Sequence, residues 1–261
     1  MQDATIKTDK LRIAHLNDEA LWRVALDAGK GNVIDAAMTA ELTALFREAA
    51  REPRLRAIVL TAEGDHFSFG ASVEEHRPAQ VADMLAGFHG LFGEIARCGV
   101  PVIAAVRGVC LGGGLELVAF CHRVFAHPEA RFAQPEISLG VFAPVGSAIL
   151  ADRVGRGAAD DLLLSGRQVK CAEAHAMGLV DAVDEQPEAA ALAWAEKYLQ
   201  PRSGAALRHA TRAARFEFMQ RFDATIEALE RTYLDDLMAT HDAVEGISAF
   251  LEKRDPRWSH T

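Results

Sequence analysis

Two glutamates and two glycine-containing loops are the features of this chain best suited to chemistry. Glu116 stands two residues past the run Gly112-Gly113-Gly114, in the first turn of an otherwise apolar segment, Leu115-Glu116-Leu117-Val118-Ala119-Phe120. Glu136 follows Gln134-Pro135 and precedes Ile137-Ser138-Leu139-Gly140. A single acid in such a place is ordinarily a cap or a hydrogen-bonded structural carboxylate. Two of them, each beside a glycine-rich loop, point to paired general acid and base work. The loops are His66-Phe67-Ser68-Phe69-Gly70-Ala71-Ser72 and Arg107-Gly108-Val109-Cys110-Leu111-Gly112-Gly113-Gly114. The first amides of a helix that follows a buried strand are unpaired, and the helix dipole adds positive potential, so such a start stabilises an anion. Three consecutive glycines cost conformational entropy; they suit either a tight turn or a backbone that a ligand must approach closely.

The elements that must position these loops are legible from periodicity. Leu11–Leu16 and Leu21–Leu26 alternate with period two around the polar Asn17-Asp18-Glu19, which predicts a hairpin. After the loop Gly29-Lys30-Gly31-Asn32, Asp35 is placed to cap a helix with Met38, Leu42, Leu45 and Phe46 on one face, stopped by Pro53. Ala57–Leu60 and Pro101–Val106 read as strands buried on both faces. A helix over about 80–97 lies between them, and a second helix runs from the glycine triplet to about Cys121. Short strands follow at Val124–Ala126, Arg131–Ala133 and Gly178–Val183. Recurring strand-loop-helix units imply an α/β core with right-handed crossovers. From Glu188 onward helix formers dominate. We therefore divide the chain into a core over 1–187 that carries the site and a helical region over 188–261. That region holds Arg202, Arg208, Arg212, Arg215 and Arg221, either as solvated helix faces or, in part, turned toward the phosphates of an acidic ligand.

Composition sets the outer limits. The 261 residues carry 28 Lys and Arg against 37 Asp and Glu, a net charge of −9, with 50% hydrophobic and 25% charged residues. That is the profile of a globular protein, and its acidity disfavours nucleic acid or an anionic membrane as partner. No apolar run approaches the roughly 18–20 residues of a membrane span. The opening Met1-Gln2-Asp3-Ala4-Thr5 shows no signal-peptide pattern. Cys98, Cys110, Cys121 and Cys171 lack metal-ligand spacing and read as reduced core thiols of a cytoplasmic protein.

Taken together in order and spacing, these motifs resemble the crotonase (enoyl-CoA hydratase/isomerase) superfamily. The resemblance rests on Phe67-Ser68-Phe69-Gly70-Ala71, on Pro101–Val106 leading to Leu111-Gly112-Gly113-Gly114-Leu115-Glu116-Leu117, and on Gln134-Pro135-Glu136 with Leu139-Gly140. It extends through Gly166-Arg167, Ala172-Glu173-Ala174, Gly178-Leu179-Val180 and Gly246 with Ala249–Arg254, and so covers nearly the whole chain. It implies a spiral of ββα units with a C-terminal helical trimerisation region, assembled as a trimer or a dimer of trimers. It also implies an acyl-CoA thioester as substrate, with no metal and no cofactor beyond the CoA that the substrate carries. The amides of Ala71 and Gly113 match the oxyanion-hole donors, and Glu116 and Glu136 the water-positioning acid and base of the hydratases.

A narrower resemblance, to the cyclic dienoyl-CoA hydratases within that superfamily, comes from Ser68–His76, Gly31–Met38 and Leu139-Gly140-Val141-Phe142-Ala143-Pro144. It implies 1,4-addition of water to cyclohexa-1,5-diene-1-carbonyl-CoA, giving 6-hydroxycyclohex-1-ene-1-carbonyl-CoA, in anaerobic benzoyl-CoA degradation. Ser72 stands where aspartate is common in the superfamily. Pro144 stands where a glycine amide is usual, and proline has no N–H to give to a bound water. Phe69 and Phe142 are candidate walls for a flat ring, with ordinary core packing as the alternative. The resemblance further implies CoA contacts from Lys30, Gly31, Val33, Ala71, Val73 and Gly112, and from Lys253 of a neighbouring subunit. The alternatives are a generic short-chain enoyl-CoA hydratase or isomerase, and a silent CoA-binding subunit.

Overall fold

Three consecutive residues in left-handed conformation, Asn17, Asp18 and Glu19 at φ of 53°, 53° and 69°, turn the chain through its first hairpin. Strand β1 (Thr5–Lys7) pairs antiparallel with β2 (Leu11–Leu16), and β2 with β3 (Leu21–Leu26). The computed structural model describes residues 5–261; the opening Met1–Ala4, read above for a signal peptide, lies outside the described residues. Asp35 caps helix α1 (Ala36–Ala49) by accepting from the Met38 amide at 2.8 Å, which turns Met38, Leu42, Leu45 and Phe46 into the core. Strand β4 (Ala57–Ala62) runs parallel to β3. A 3₁₀ turn (Glu74–His76) then leads into α2 (Val81–Cys98), which Gly99 ends at φ 67°.

Strand β5 (Val102–Val106) lies parallel to β4, after which β6 (Val109–Leu111) leaves the large sheet and opens α3 (Gly113–Phe120). Strand β7 (Arg123–Ala126) returns beside β5, and β8 (Arg131–Ala133) pairs with β6. A 3₁₀ turn over Pro135–Leu139 carries Glu136. Then come α4 (Pro144–Val154), α5 (Arg156–Ser165), β9 (Val169–Lys170), α6 (Cys171–Ala176) and β10 (Ala182–Val183). The strand expected over Gly178–Val183 is thus only two residues long. The amides of Leu179 and Val180 turn back to the Ala174 carbonyl, at 2.9 and 3.2 Å, and are lost to any sheet. The chain ends with α7 (Pro187–Tyr198), α8 (Gly204–Ala214), α9 (Phe216–Arg231), a π-helical turn (Thr232–Leu237) and α10 (His241–Leu251).

The large sheet has the order β1-β2-β3-β4-β5-β7-β10 and the small one β6-β8-β9. Period two sorts the side chains of the large sheet. Ile58, Leu60, Val102 and Ala104 face the main core with α1, α2, α3 and α4, while Ala57, Val59, Ile103 and Ala105 face α7. Helix α7 presents Ala191 and Ala195, four apart, to that second face. The region from 188 therefore opens with a helix that covers the sheet, and only α8 and later elements stand apart from it.

Arg202 and Arg221 lie exposed, as solvated faces, whereas Arg208, Arg212 and Arg215 answer a different need. Arg208 donates to the carbonyls of Ala49 (3.1 Å), Glu52 (2.6 Å) and Cys98 (2.9 Å), the open ends of α1 and α2. Arg212 reaches the Arg97 carbonyl at 3.0 Å. Arg215 covers the end of α3 through Phe120 (2.6 Å) and Cys121 (3.0 Å), its guanidinium 5.2 Å from the Phe120 ring. Terminal helix carbonyls are unpaired and carry the negative end of the dipole, so a cation there is doubly favoured. Arg208→Ala should lower the unfolding free energy in urea by about 2–3 kcal/mol, the worth of charge-assisted bonds plus the carbonyls left bare. Arg208→Lys should recover only part, because an ammonium cannot span three carbonyls.

Candidate active site

The first loop is laced to its neighbours on both sides. The Phe69 amide donates to the Gly31 carbonyl at 2.7 Å, Ile34 to Gly70 at 2.9 Å and Ser72 to Ile34 at 3.1 Å. The buried Ser68 hydroxyl donates to the Asn32 carbonyl at 2.9 Å and accepts from the Gly70 amide at 3.0 Å. On the other side the Leu111 amide donates to Ser68 at 2.9 Å, which ties the loop to β6. Gly70 sits at φ 104°, and a Cβ there would come within 3.1 Å of the Leu111 carbonyl and 3.4 Å of the Gly113 nitrogen. The Gly112 amide is spent on the Ala133 carbonyl at 2.9 Å. Those of Ala71 and Gly113 donate to no acceptor among the described residues. They are neighbours: a Cβ on Gly113 would lie 3.1 Å from the Ala71 nitrogen. Two adjacent, unspent N–H groups, one of them at the start of α3, are an arrangement able to stabilise an anion.

Glu116 is only 4% exposed, and its Oε1 accepts from the Gly146 amide at 2.6 Å. The Val145 amide also faces it. These amides belong to the first turn of α4, whose preceding residue Ala143 has no side chain to cap it. Pro144 occupies the first helical position, where a missing N–H is harmless and the fixed φ suits the helix. The proline therefore does not empty the site of donors. It starts α4 so that the next amides serve Glu116, and a carboxylate from α3 becomes the cap of α4.

Glu136 accepts on Oε1 from the Gln134 side-chain amide at 3.1 Å, while its buried Oε2 has no partner among the described residues. The carboxylate lies so close over Gly112 that a Cβ there would fall 2.6 Å from Oε1, and Gly112 also holds φ 48°. This is the physical demand behind the first glycine of the triplet. Burial pushes Glu116 up to about 8, with the charge of Glu136 adding and the Gly146 and Val145 amides opposing. Burial likewise pushes Glu136 up to about 7, against its own backbone amide and Gln134. Burial raises both carboxyl groups, and two acids so placed titrate as a pair rather than singly.

Phe142 and Val73 belong to one apolar wall with Val81, Leu85, Val141 and Tyr233, the Phe142 ring 5.2 Å from that of Tyr233. Phe69 is elsewhere. It is 39% exposed, 5.1 Å from the His66 ring, and lies so tightly on Gly31 that a Cβ there would enter its ring. The two phenylalanines do not form an aromatic pair. Ser72 joins the backbone lacing, its carbonyl accepting from His76 at 2.8 Å. Lys30, Val33 and Lys253 are exposed, and neither lysine forms an ion pair among the described residues. All four cysteines are buried and free. No group of three His, Cys, Asp or Glu among the described residues is arranged to hold a metal ion. Sequence reasoning missed Gln134 as a partner of Glu136, the Gly146 amide as the partner of Glu116, and Tyr233. Gln134 was visible beside Glu136, whereas nothing local marks a tyrosine that lies 97 residues further along.

Parallel strands feed two loops with unspent amides beside a pair of enclosed carboxyl groups. The chain belongs to the enoyl-CoA hydratase/isomerase family, whose model matches residues 17–261. A cyclohexa-1,5-dienecarbonyl-CoA hydratase from Thauera aromatica is 50% identical over 243 residues, 93% of this chain and 94% of that protein. A protein of Mycobacterium leprae named probable enoyl-CoA hydratase is 36% identical, over 88% of this chain and 90% of its own. The crystal structure of an enoyl-CoA hydratase from Mycobacterium avium superposes with a TM-score of 0.85 at 25% identity, over 97% of this chain and 100% of that one.

The raised Glu116 has a consequence for stability. An unfolded glutamate titrates near its ordinary value, so between there and about 8 the folded chain holds more protons than the unfolded one, and stability falls as pH rises through that window. Glu116→Gln removes the titration while keeping an oxygen for the Gly146 amide. Its melting temperature relative to wild type should therefore climb from about pH 5 to about pH 9. Parallel melting curves for the two proteins would refute this.

Proposed function

We propose that the chain is a hydro-lyase that adds water to cyclohexa-1,5-diene-1-carbonyl-CoA by 1,4-addition, giving 6-hydroxycyclohex-1-ene-1-carbonyl-CoA in the anaerobic breakdown of benzoyl-CoA. The observation that carries the reaction class is the pair of enclosed carboxyl groups, Glu116 and Glu136, beside the unspent amides of Ala71 and Gly113. The 50% likeness to the Thauera aromatica hydratase supports the ring as substrate.

In this scheme the thioester carbonyl sits between the Ala71 and Gly113 amides. The ionised member of the glutamate pair takes a proton from water as its oxygen bonds to the ring carbon β to the carbonyl. Charge moves onto the carbonyl oxygen as a dienolate, which the two amides stabilise; a donor of this kind is worth about 3–4 kcal/mol of barrier. The protonated member of the pair delivers its proton to the far end of the conjugated system. The double bond is left next to the thioester, and the pair ends with the proton count it began with. The apolar wall of Val73, Val141 and Phe142 suits a ring with no polar group except the carbon being hydrated.

The CoA portion is assigned to the outer side of the first loop, where Gly31 and Phe69 touch and the exposed Lys30 and Val33 lie. Lys253, exposed after α10, would meet the nucleotide phosphates from a neighbouring subunit. Assembly as a trimer, or a pair of trimers, fits the exposed Phe216 (63%) and Phe250 (55%) of the helical region. No helix among the described residues is long and apolar enough to cross a membrane. The four free thiols fit a reducing cytoplasm.

The test is parallel incubation with the cyclic dienoyl-CoA and crotonyl-CoA, following the gain of one water by mass spectrometry. The cyclic thioester should be the faster substrate. In heavy water its product should carry one carbon-bound deuterium, at the carbon far from the new hydroxyl. Rapid turnover of crotonyl-CoA alone, or deuterium on the carbon next to the hydroxyl, would reject the ring assignment. Glu136→Gln should lose about 10²–10⁴-fold in kcat while still binding the thioester; full activity would reject the paired-acid scheme.

A further inference from the structure

Tyr233 is 1% exposed, and its hydroxyl has no hydrogen-bond partner among the described residues. Buried hydroxyls are ordinarily paired, so an unpaired one calls for a cause. Phe142 and Val141 hold its ring, and both belong to the segment that runs from Glu136 to Gly146, the residue that holds Glu116. Two more buried polar atoms of the same region lack partners: Glu136 Oε2 and Gln134 Oε1. Both accept, and Tyr233 is the one that can donate to an oxygen. Burial and the nearby charges of Glu136 and Glu116 push its titration upward, so the phenol keeps its proton. The ring hangs from a π-helical turn, where the Met238 amide bonds the Tyr233 carbonyl at 2.9 Å, five residues back. Such turns shift side chains off the α-helical register and recur at functional sites.

We infer that Tyr233 is a substrate-contacting residue whose hydroxyl donates a hydrogen bond to the oxygen added to the substrate, as water before the reaction and as the product hydroxyl after it. As water, that oxygen carries two hydrogens for the acceptors Glu136 and Gln134 and a lone pair for Tyr233; as the product hydroxyl it keeps one hydrogen for an acceptor and a lone pair for Tyr233. The inference rests on the hydratase assignment above but not on the ring. It predicts discrimination between the hydroxylated and unhydroxylated thioesters, because a site built to bond an oxygen is left with bare polar groups when the ligand lacks it.

Tyr233→Phe keeps the ring and removes the hydroxyl. In the intact enzyme it should lower kcat/KM for hydration by about 10–100-fold and raise KM for the hydroxylated product in the reverse direction. KM for the unhydroxylated thioester should barely change. The melting temperature should hold or rise, since an unpaired buried hydroxyl is gone. Unchanged kcat/KM and unchanged product KM would overturn the inference. A second measurement needs no variant, because the chain has only two tyrosines, Tyr198 and Tyr233. With tyrosine labelled by ¹³C at Cζ, one of the two resonances should shift when the hydroxylated thioester binds the wild-type enzyme and stay put with free CoA. No shift, or the same shift with CoA alone, would overturn it. If crotonyl-CoA proves the faster substrate, the ring assignment fails, and the same measurements with the 3-hydroxybutyryl thioester decide the role of Tyr233 independently.

Discussion

A carboxylate buried against the first turn of a helix is the contact around which this molecule is arranged. Glu116 belongs to α3, but its oxygen is held by the amides that open α4. A charge in that environment is costly unless donors face it, and the donors of a helix start are otherwise unspent. Each side supplies what the other lacks: Ala143 offers α4 no cap, and α3 offers Glu116 no partner of its own. The contact also fixes the path between the two helices. The chain must leave α3, form β7 and β8, and pass through the turn carrying Glu136 before Gly146 can return to Glu116. The second carboxylate is therefore brought to the first by the connection that the first requires.

The same closeness governs the glycines. Gly112 lies under the Glu136 carboxylate and Gly70 under the start of α3, so neither position has room for a side chain. Gly113 sets its Cα against the Ala71 amide. The lacing of the first loop to Gly31, Asn32 and Ile34 on one side and β6 on the other consumes the surrounding amides and leaves the Ala71 and Gly113 amides unspent. Pre-set donors of this kind do not need to reorganise as charge develops, which is why a stiff loop serves better than a mobile one. Among the buried polar atoms without partners in the described residues are Glu136 Oε2, Gln134 Oε1 and Tyr233 Oη.

The helical region is tied to this core by arginines rather than by an apolar seam alone. Arg208, Arg212 and Arg215 close the carbonyl ends of α1, α2 and α3. Phe218 and Phe222 of α9 pack at tilted angles on Phe120 and Phe92 behind them. This anchoring matters for the site because the π-helical turn that presents Tyr233 is the continuation of α9. Tyr233 joins Val141 and the partly buried Val73 and Phe142 in one apolar cluster beside the turn that carries Glu136.

The sequence by itself determined the elements whose causes are local. Alternation marked β2 and β3, continuous apolar runs marked β4 and β5, Asp35 marked the start of α1, and glycines marked both loops. It also singled out Glu116 and Glu136, because an acid between apolar neighbours is visible in one dimension. What it left open has a common physical origin in contacts between residues far apart in the chain. Pro144 read as the loss of a donor, since the amide that replaces it is defined only by the direction of α4. The arginines read as surface or phosphate ligands, since the carbonyls they cover end helices more than 90 residues earlier. Phe69 and Phe142 read only as candidate walls, and the fold sets one against Gly31 and the other against Tyr233. Spacing cannot say whether two glutamates share a proton or whether a tyrosine hydroxyl faces them. Burial and distance decide that, and both come into being only when the sheet, its helices and the tail close on one another.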